Sequence, residues 1–278
     1  MNTLLSLTAI ILVSFGTSFK ESREATINAV TKDVQAVYAE AQVYEAYTSK
    51  MIRNKIEKTE GTHIMDVGEA MQKAIDSGCK YVVLQPTHMM YGLEYNEMKE
   101  LASPYVDKFD NVVYGEPLLA EKDDISTVLN AVVPTLNAGK KDAVVFMGHG
   151  TEYFSNFLYA AMDYQAKAEG FNNVFVGTVE AYPDVETVMK SVKLNKYKNV
   201  ILTPLMLVAG DHANNDMAGD EEDSWKNQFK AAGFKNINCV VKGLGEYEGV
   251  RKLYVEHVKK ALENLEANLK NETTSDNE

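Results

Sequence analysis

Apolar residues along the chain follow two alternating patterns. Eight short runs read as strands: 9–15, 41–47, 81–86 and 111–115, then 143–148, 173–178, 199–205 and 236–242. Between them apolar residues recur three and four apart, the spacing of one helix face. Ile27, Val30, Val34 and Val37 make one such stripe, and Ile125, Val128, Leu129, Val132 and Leu136 make another. Leu253, Val258, Leu262, Leu265 and Leu269 mark a long last helix, and "NETTSDNE" behind it reads as a disordered polar tail over 271–278. "SFKE" at 18–21 has the form of a capping box. Ser18 would accept from the third helical amide while Glu21 reaches back.

Strands alternating with helices predict parallel sheets covered by helices on both faces, an α/β protein. Four strands, then "LNAGKKD" (136–142), then four more predict two similar domains, 1–137 and 138–270. Internal similarity points the same way. "LVSFGTS" (12–18) matches "FMGHGTE" (146–152), "YEAY" (44–47) matches "VEAY" (179–182), and "VVLQPTHMMYGLEYNE" (82–97) matches "VILTPLMLVAGDHANN" (200–215). The alignment sets Phe15 opposite His149, Glu45 opposite Glu180 and Glu94 opposite His212. The matches fall at the carboxyl ends of strands, where parallel sheets bind ligands.

Those ends carry the candidate chemistry. His149 follows an apolar strand and lies between Gly148 and Gly150, which let the backbone turn sharply and leave the ring open. His212 stands just past Gly210, with Asn214, Asn215 and Asp216 close behind. Either histidine alone reads equally well as a strand-end ring bonded to the backbone. As a pair in one domain they make a candidate set of ligands for a borderline divalent metal. Glu180 is a third ligand, a proton acceptor, or an acid at a helix start with Pro183 in the first turn. Glu94, in "YGLEYNEM" just past a strand, reads as a functional acid or as a first-turn helix acid. His88 lines a cleft or is buried for structure, and His63 and His257 read as surface residues. The acid run in "GDEEDSW" (219–225) reads as first-turn helix acids ahead of a metal-feeding patch.

Composition narrows the classes. The chain has 278 residues, 45% of them hydrophobic, enough for two cores. A net charge of −12 without a basic stripe excludes nucleic acid and anionic membranes as partners. Cys79 and Cys239 form no CxxC pair, which suits a reduced cytoplasmic setting. "MNTLLSLTAIILVSFG" is apolar like the core of a signal peptide, but no Lys or Arg precedes Lys20 and no small-residue cleavage site follows. No stretch is long enough to span a membrane. The phosphate-binding, GxSxG and HExxH signatures are all missing.

Taken together, "SFGTSFKESRE", "QPTHMMYGLEY", "VVFMGHGTEYFSN", "VEAYPD" and "TPLMLVAGDHANNDMAGDEEDSW" resemble the anaerobic sirohydrochlorin cobaltochelatases of cobalamin biosynthesis, class II chelatases related to ferrochelatase. The resemblance runs from about Ala9 to the last helix. It implies two flavodoxin-like domains, each with a four-stranded parallel sheet, and a tetrapyrrole cleft. It implies insertion of Co(II) as substrate ion into sirohydrochlorin or a related precorrin, with neither ATP nor any other cofactor. The family's metal-side residues fall on His149, His212 and Glu180, and a further family acid falls on Glu94. Iron or nickel insertion into a related ring, a non-enzymatic tetrapyrrole or haem carrier, and a zinc hydrolase are the rival readings. The partners implied are the tetrapyrrole and a divalent metal, and assembly into a homo-oligomer is left open.

Overall fold

All eight apolar runs form strands in the computed structural model, which describes residues 2–275. Thr8–Ser14 (β1), Gln42–Tyr47 (β2), Tyr81–Pro86 (β3) and Asn111–Tyr114 (β4) make one sheet, in the order β2-β1-β3-β4. Asp142–Gly148 (β5), Val174–Thr178 (β6), Asn199–Pro204 (β7) and Asn236–Cys239 (β8) make a second, in the order β6-β5-β7-β8. Every pairing is parallel. The helices, in chain order, are Asn2–Ser6 (α1), Lys20–Ala25 (α2), Ile27–Val37 (α3), Lys50–Glu60 (α4), Val67–Asp76 (α5) and Leu93–Ala102 (α6). Lys122–Val132 (α7), Phe157–Ala168 (α8), Val185–Leu194 (α9), Trp225–Ala231 (α10) and Glu248–Ser275 (α11) follow.

The apolar N-terminal run is a central strand. β1 is buried along its whole length and pairs with β2 on one side and β3 on the other. Ala9, Ile11 and Val13 pack with Val67, Met71, Leu84 and Met98. Cleavage behind this run would remove the middle of the sheet.

The chain divides into two compact units, but not at the expected boundary of 137/138. One unit joins the residues up to Ala120 with those from Arg251 onward, and the other is Glu121–Val250. The reason lies in which sheet each helix covers. α7 carries its buried stripe of Ile125, Val128, Leu129 and Val132 into the second unit, where Gln165 on α8 donates to the Lys122 carbonyl. α11 returns to the first unit. Its Tyr254, Val258, Ala261 and Leu265 are buried, Tyr254 Oη donates to the Thr87 carbonyl at 2.8 Å, and Arg251 pairs with Asp33 at 2.7 Å. His257 lies on that buried face, fully enclosed, and so is not the surface residue that its polar neighbours suggested. The helix continues to Ser275, so 271–275 is helical rather than a disordered tail; 276–278 lie outside the described residues.

The capping box at 18–21 does not form. α2 begins after Phe19 with no side-chain cap, and Thr17 Oγ1 accepts from the Phe19 amide instead. Helix α3 is separated from α2 by a break at Thr26, whose hydroxyl donates to the Ser22 carbonyl. That local bond competes with the helical ladder.

The two units repeat one plan in backbone detail. The Thr87 amide donates to the Val13 carbonyl as the Leu205 amide donates to Met147, both at 2.8 Å. Asn96 bonds back to Gly92 as Asn214 does to Gly210. Gly16 and Gly150 both take positive φ, +102° and +94°. These bonds uphold the pairing of Phe15 with His149 and of Glu94 with His212. The match of Glu45 with Glu180 fails. Ser49 N donates to Phe15 O where Glu180 N donates to His149 O, so Ser49 is the counterpart of Glu180. Glu45 lies inside β2, opposite Leu12, and accepts from Thr31.

Candidate metal centre

Three loops of the second unit bring His149, Glu180 and His212 together. His149 is the first residue beyond β5. Gly150 behind it has φ +94°, and a Cβ there would lie 2.8 Å from the Ala181 amide nitrogen. Only glycine meets both demands, and the resulting turn points the imidazole off the strand end. Gly150→Ala is therefore expected to cost at least about 1–2 kcal/mol from the backbone alone. A lowered Tm together with weakened Co(II) binding would check it; a variant with wild-type values in both would refute this role for the glycine.

Glu180 follows β6, and its amide bonds to the His149 carbonyl at 2.9 Å, which ties the two loops side by side. Pro183 is not in a helical first turn as expected. α9 starts after Asp184, whose side chain accepts from Thr187, and the Pro183 carbonyl accepts from Thr178. His212 enters a single π-helical turn, Ala213–Met217, a local widening often found at functional positions. Ala213 and Met217 are fully buried and anchor that turn in the core.

The two imidazoles meet edge to face, with centroids 4.7 Å apart and planes at 85°. Nε2 of His149 and Nε2 of His212 each lie 4.0 Å from Glu180 Oε1. Ligand atoms of the three residues all fall within 4.8 Å of one another. Side-chain exposures of 45%, 57% and 29% for His149, Glu180 and His212 leave the group open to an incoming ligand. Divalent-metal bonds to nitrogen and oxygen run at about 2.0–2.2 Å, so binding an ion calls for a small inward movement, which the exposed Glu180 can make.

Hydrogen bonds on the far edge of each ring fix which nitrogen faces the cluster. His149 Nδ1 lies 2.8 Å from the Gly150 carbonyl oxygen, and His212 Nδ1 lies 2.6 Å from Asp216 Oδ2. A carbonyl and a carboxylate only accept, so these bonds call for hydrogen on Nδ1 of both rings, and a ring in its neutral form then presents its lone pair at Nε2. Two neutral imidazole nitrogens and a carboxylate oxygen make a mixed donor set suited to borderline first-row ions, with coordination positions left over. Asp216 is the residue that sequence reasoning passed over; its signal is the i,i+4 spacing from His212.

The other candidates lie elsewhere. Glu94 is half-buried in the first turn of α6, in the first unit. Acids 220–223 precede α10, whose cap is Ser224, so they are not first-turn residues as expected. Asp220 pairs with Lys226 at 2.8 Å. His63 is exposed beside Glu69, in line with the sequence reading.

His88 is buried in the first unit, and neither ring nitrogen has a partner among the described residues. Burial pushes its pKa down to about 4. Between there and the ordinary value near ~6.5 the unfolded chain takes a proton that the folded chain refuses. Stability is thus full above that window and falls as pH drops through it, by up to about 1.4 kcal/mol per pH unit. Urea unfolding of wild type and His88→Leu between pH 7 and 4.5 checks this. The stability gap should shift in favour of the leucine variant on acidification; a gap independent of pH would contradict it.

Comparison with known proteins identifies the family. The cobalt chelatase (CbiK) family matches residues 8–263. The sirohydrochlorin cobaltochelatase of Salmonella typhimurium is 37% identical over 257 residues, covering 91% of this chain and 96% of that one. The sirohydrochlorin cobaltochelatase CbiKC of Nitratidesulfovibrio vulgaris is 30% identical over 265 residues, covering 92% and 91%. Among solved structures, the sirohydrochlorin chelatase SirB from Bacillus subtilis, in complex with cobalt, shares the fold at a TM-score of 0.66 and 13% identity, over 94% of this chain and 97% of that one. With the match spanning both sheets and all three clustered residues, the chain belongs to the CbiK cobalt chelatase family.

Proposed function

We propose that this protein inserts Co(II) into sirohydrochlorin, or a closely related precorrin, in anaerobic cobalamin biosynthesis. The observation that carries the reading is the open triangle of His149 Nε2, His212 Nε2 and Glu180 Oε1. Its setting in a chain closely similar to named sirohydrochlorin cobaltochelatases supplies the substrate.

Metallation exchanges one divalent ion for the two protons on pyrrole nitrogens. Charge balances within the reaction, so neither ATP nor a redox partner is called for. His149, His212 and Glu180 take the ion, replace part of its water shell, and leave positions open for ring nitrogens. A carboxylate accepts the departing protons one at a time and passes each to solvent before taking the next. Glu94 is the candidate for that role, because Glu180 is engaged with the ion. Such a donor set is expected to hold cobalt more tightly than iron but less tightly than nickel, so the choice of cobalt over nickel rests on supply and on the macrocycle.

We assign the protein to the cytoplasm, supported by the free thiols Cys79 and Cys239. Among the described residues no helix is long and apolar enough to cross a membrane.

The test is an absorbance assay of purified protein with sirohydrochlorin and Co(II) without ATP, with Fe(II) and Ni(II) in parallel. Rapid spectral conversion with cobalt is the expected result. Tight binding of the tetrapyrrole with no acceleration by any metal would instead make the protein a carrier.

A further inference from the structure

The metal centre has an asymmetry that the ligand assignment does not use. His149 rests its Nδ1 on a neutral backbone carbonyl one residue away, whereas His212 rests its Nδ1 on a carboxylate, Asp216, at 2.6 Å. Asp216 stands outside the cluster of donor atoms and lies behind His212, on the ring edge opposite Nε2. Its backbone belongs to the π turn whose neighbouring side chains, Ala213 and Met217, are fully buried. The backbone that carries the carboxylate is therefore anchored in the core, while the partly exposed Asp216 side chain reaches the ring.

We infer that Asp216 is a positioning residue for metal capture: it holds the His212 ring with hydrogen on Nδ1, so that the Nε2 lone pair meets the incoming ion. The inference rests on the reading of His212 as a metal ligand. Two physical points carry it. An imidazole without a fixed acceptor exchanges its hydrogen between the two nitrogens and turns about its outer bond, and in half of those arrangements Nε2 offers a hydrogen to the ion instead of a lone pair. A short, charge-assisted bond removes those arrangements, and the His149 ring packed edge to face at 4.7 Å blocks the turn from the other side. Outer carboxylates of this kind fix the tautomer and orientation of metal-binding histidines, and their loss costs about 10–100-fold in metal affinity or activity. A solvent-facing ion pair of no consequence is the alternative. It would leave the tautomer of His212 unconstrained.

Nitrogen NMR of the full-length protein labelled at histidine, at a pH where the free ring is neutral, reads the tautomer directly. Wild-type His212 is expected in the Nδ1–H form, and Asp216→Ala is expected to move it towards the Nε2–H form while leaving the His149 signals in place. In parallel, Co(II) titration should give a Kd about 10–100-fold weaker for Asp216→Ala, with the Kd for sirohydrochlorin unchanged. An Nε2–H tautomer at His212 in the wild type overturns the inference, and that result does not depend on the variant folding. So does an Asp216→Ala protein that binds Co(II) like wild type. If the wild type takes up no Co(II) at all while His212 keeps its Nδ1–H form, the failure belongs to the ligand assignment, and the role in metal capture falls with it.

Discussion

Replacing His149 or His212 by alanine is expected to lower the rate of cobalt insertion by about 100-fold or more. Supporting residues around a metal already cost about 10–100-fold, and a direct ligand costs at least the upper end of that range. Either substitution leaves a single imidazole and the Glu180 carboxylate, a pair too weak to strip water from the ion and hold it. The fold should survive. Both side chains are substantially exposed, and neither belongs to the buried core of its unit. Binding of sirohydrochlorin alone, followed by its absorbance, should be close to wild type. His63→Ala is the control, since that ring is exposed, lies beside Glu69 and is not one of the three clustered residues. Near-normal insertion by either variant at the metal centre, or a large loss at His63, would refute the assignment.

Removing a carboxylate should separate taking the ion from taking the protons. Glu180→Gln is expected to weaken Co(II) binding, because its Oε1 lies 4.0 Å from both Nε2 atoms and completes the donor set. Glu94→Gln is expected to leave Co(II) affinity unchanged and to lower kcat by about 10²–10⁴-fold, the range for loss of a positioned proton acceptor. The amide keeps the size and the first-turn position of Glu94 on α6, so stability should change little. Measuring the Co(II) Kd and kcat for both variants decides the matter. A Glu94→Gln enzyme with wild-type kcat would move the acceptor role to Glu180 or to a histidine.

Much of this was legible in the sequence because it is local. Strand positions follow from runs such as "AIILV" and "AVVFM", and the two-copy plan follows from repeated strand ends. The gathering of His149, Glu180 and His212 was legible for the same reason: each lies at or shortly beyond a strand end, and parallel strands deliver their ends to one edge. What escaped was long-range. The stripe on the last helix shows that it buries a face but not which unit it covers, so α11 was assigned to the wrong one and His257 passed for a surface residue. The Glu45 match misled because four similar letters in a strand and in a loop give no backbone register; the amide bonds of Ser49 and Glu180 do. The Ser18 cap fails because the helix starts one residue later, with Phe19 in the cap position, a shift that the letters alone do not show. Asp216 sits in plain view four residues after His212, a spacing at which side chains meet on a helix, but the sequence does not show that a helical turn forms there.

The most direct measurement is anomalous diffraction at the cobalt absorption edge from crystals of the active protein soaked in Co(II). A single strong peak within bonding distance of His149 Nε2, His212 Nε2 and Glu180 Oε1 is the expected result. A peak at the acidic run 220–223, or no ordered cobalt in crystals of a protein that inserts it in solution, would contradict the account.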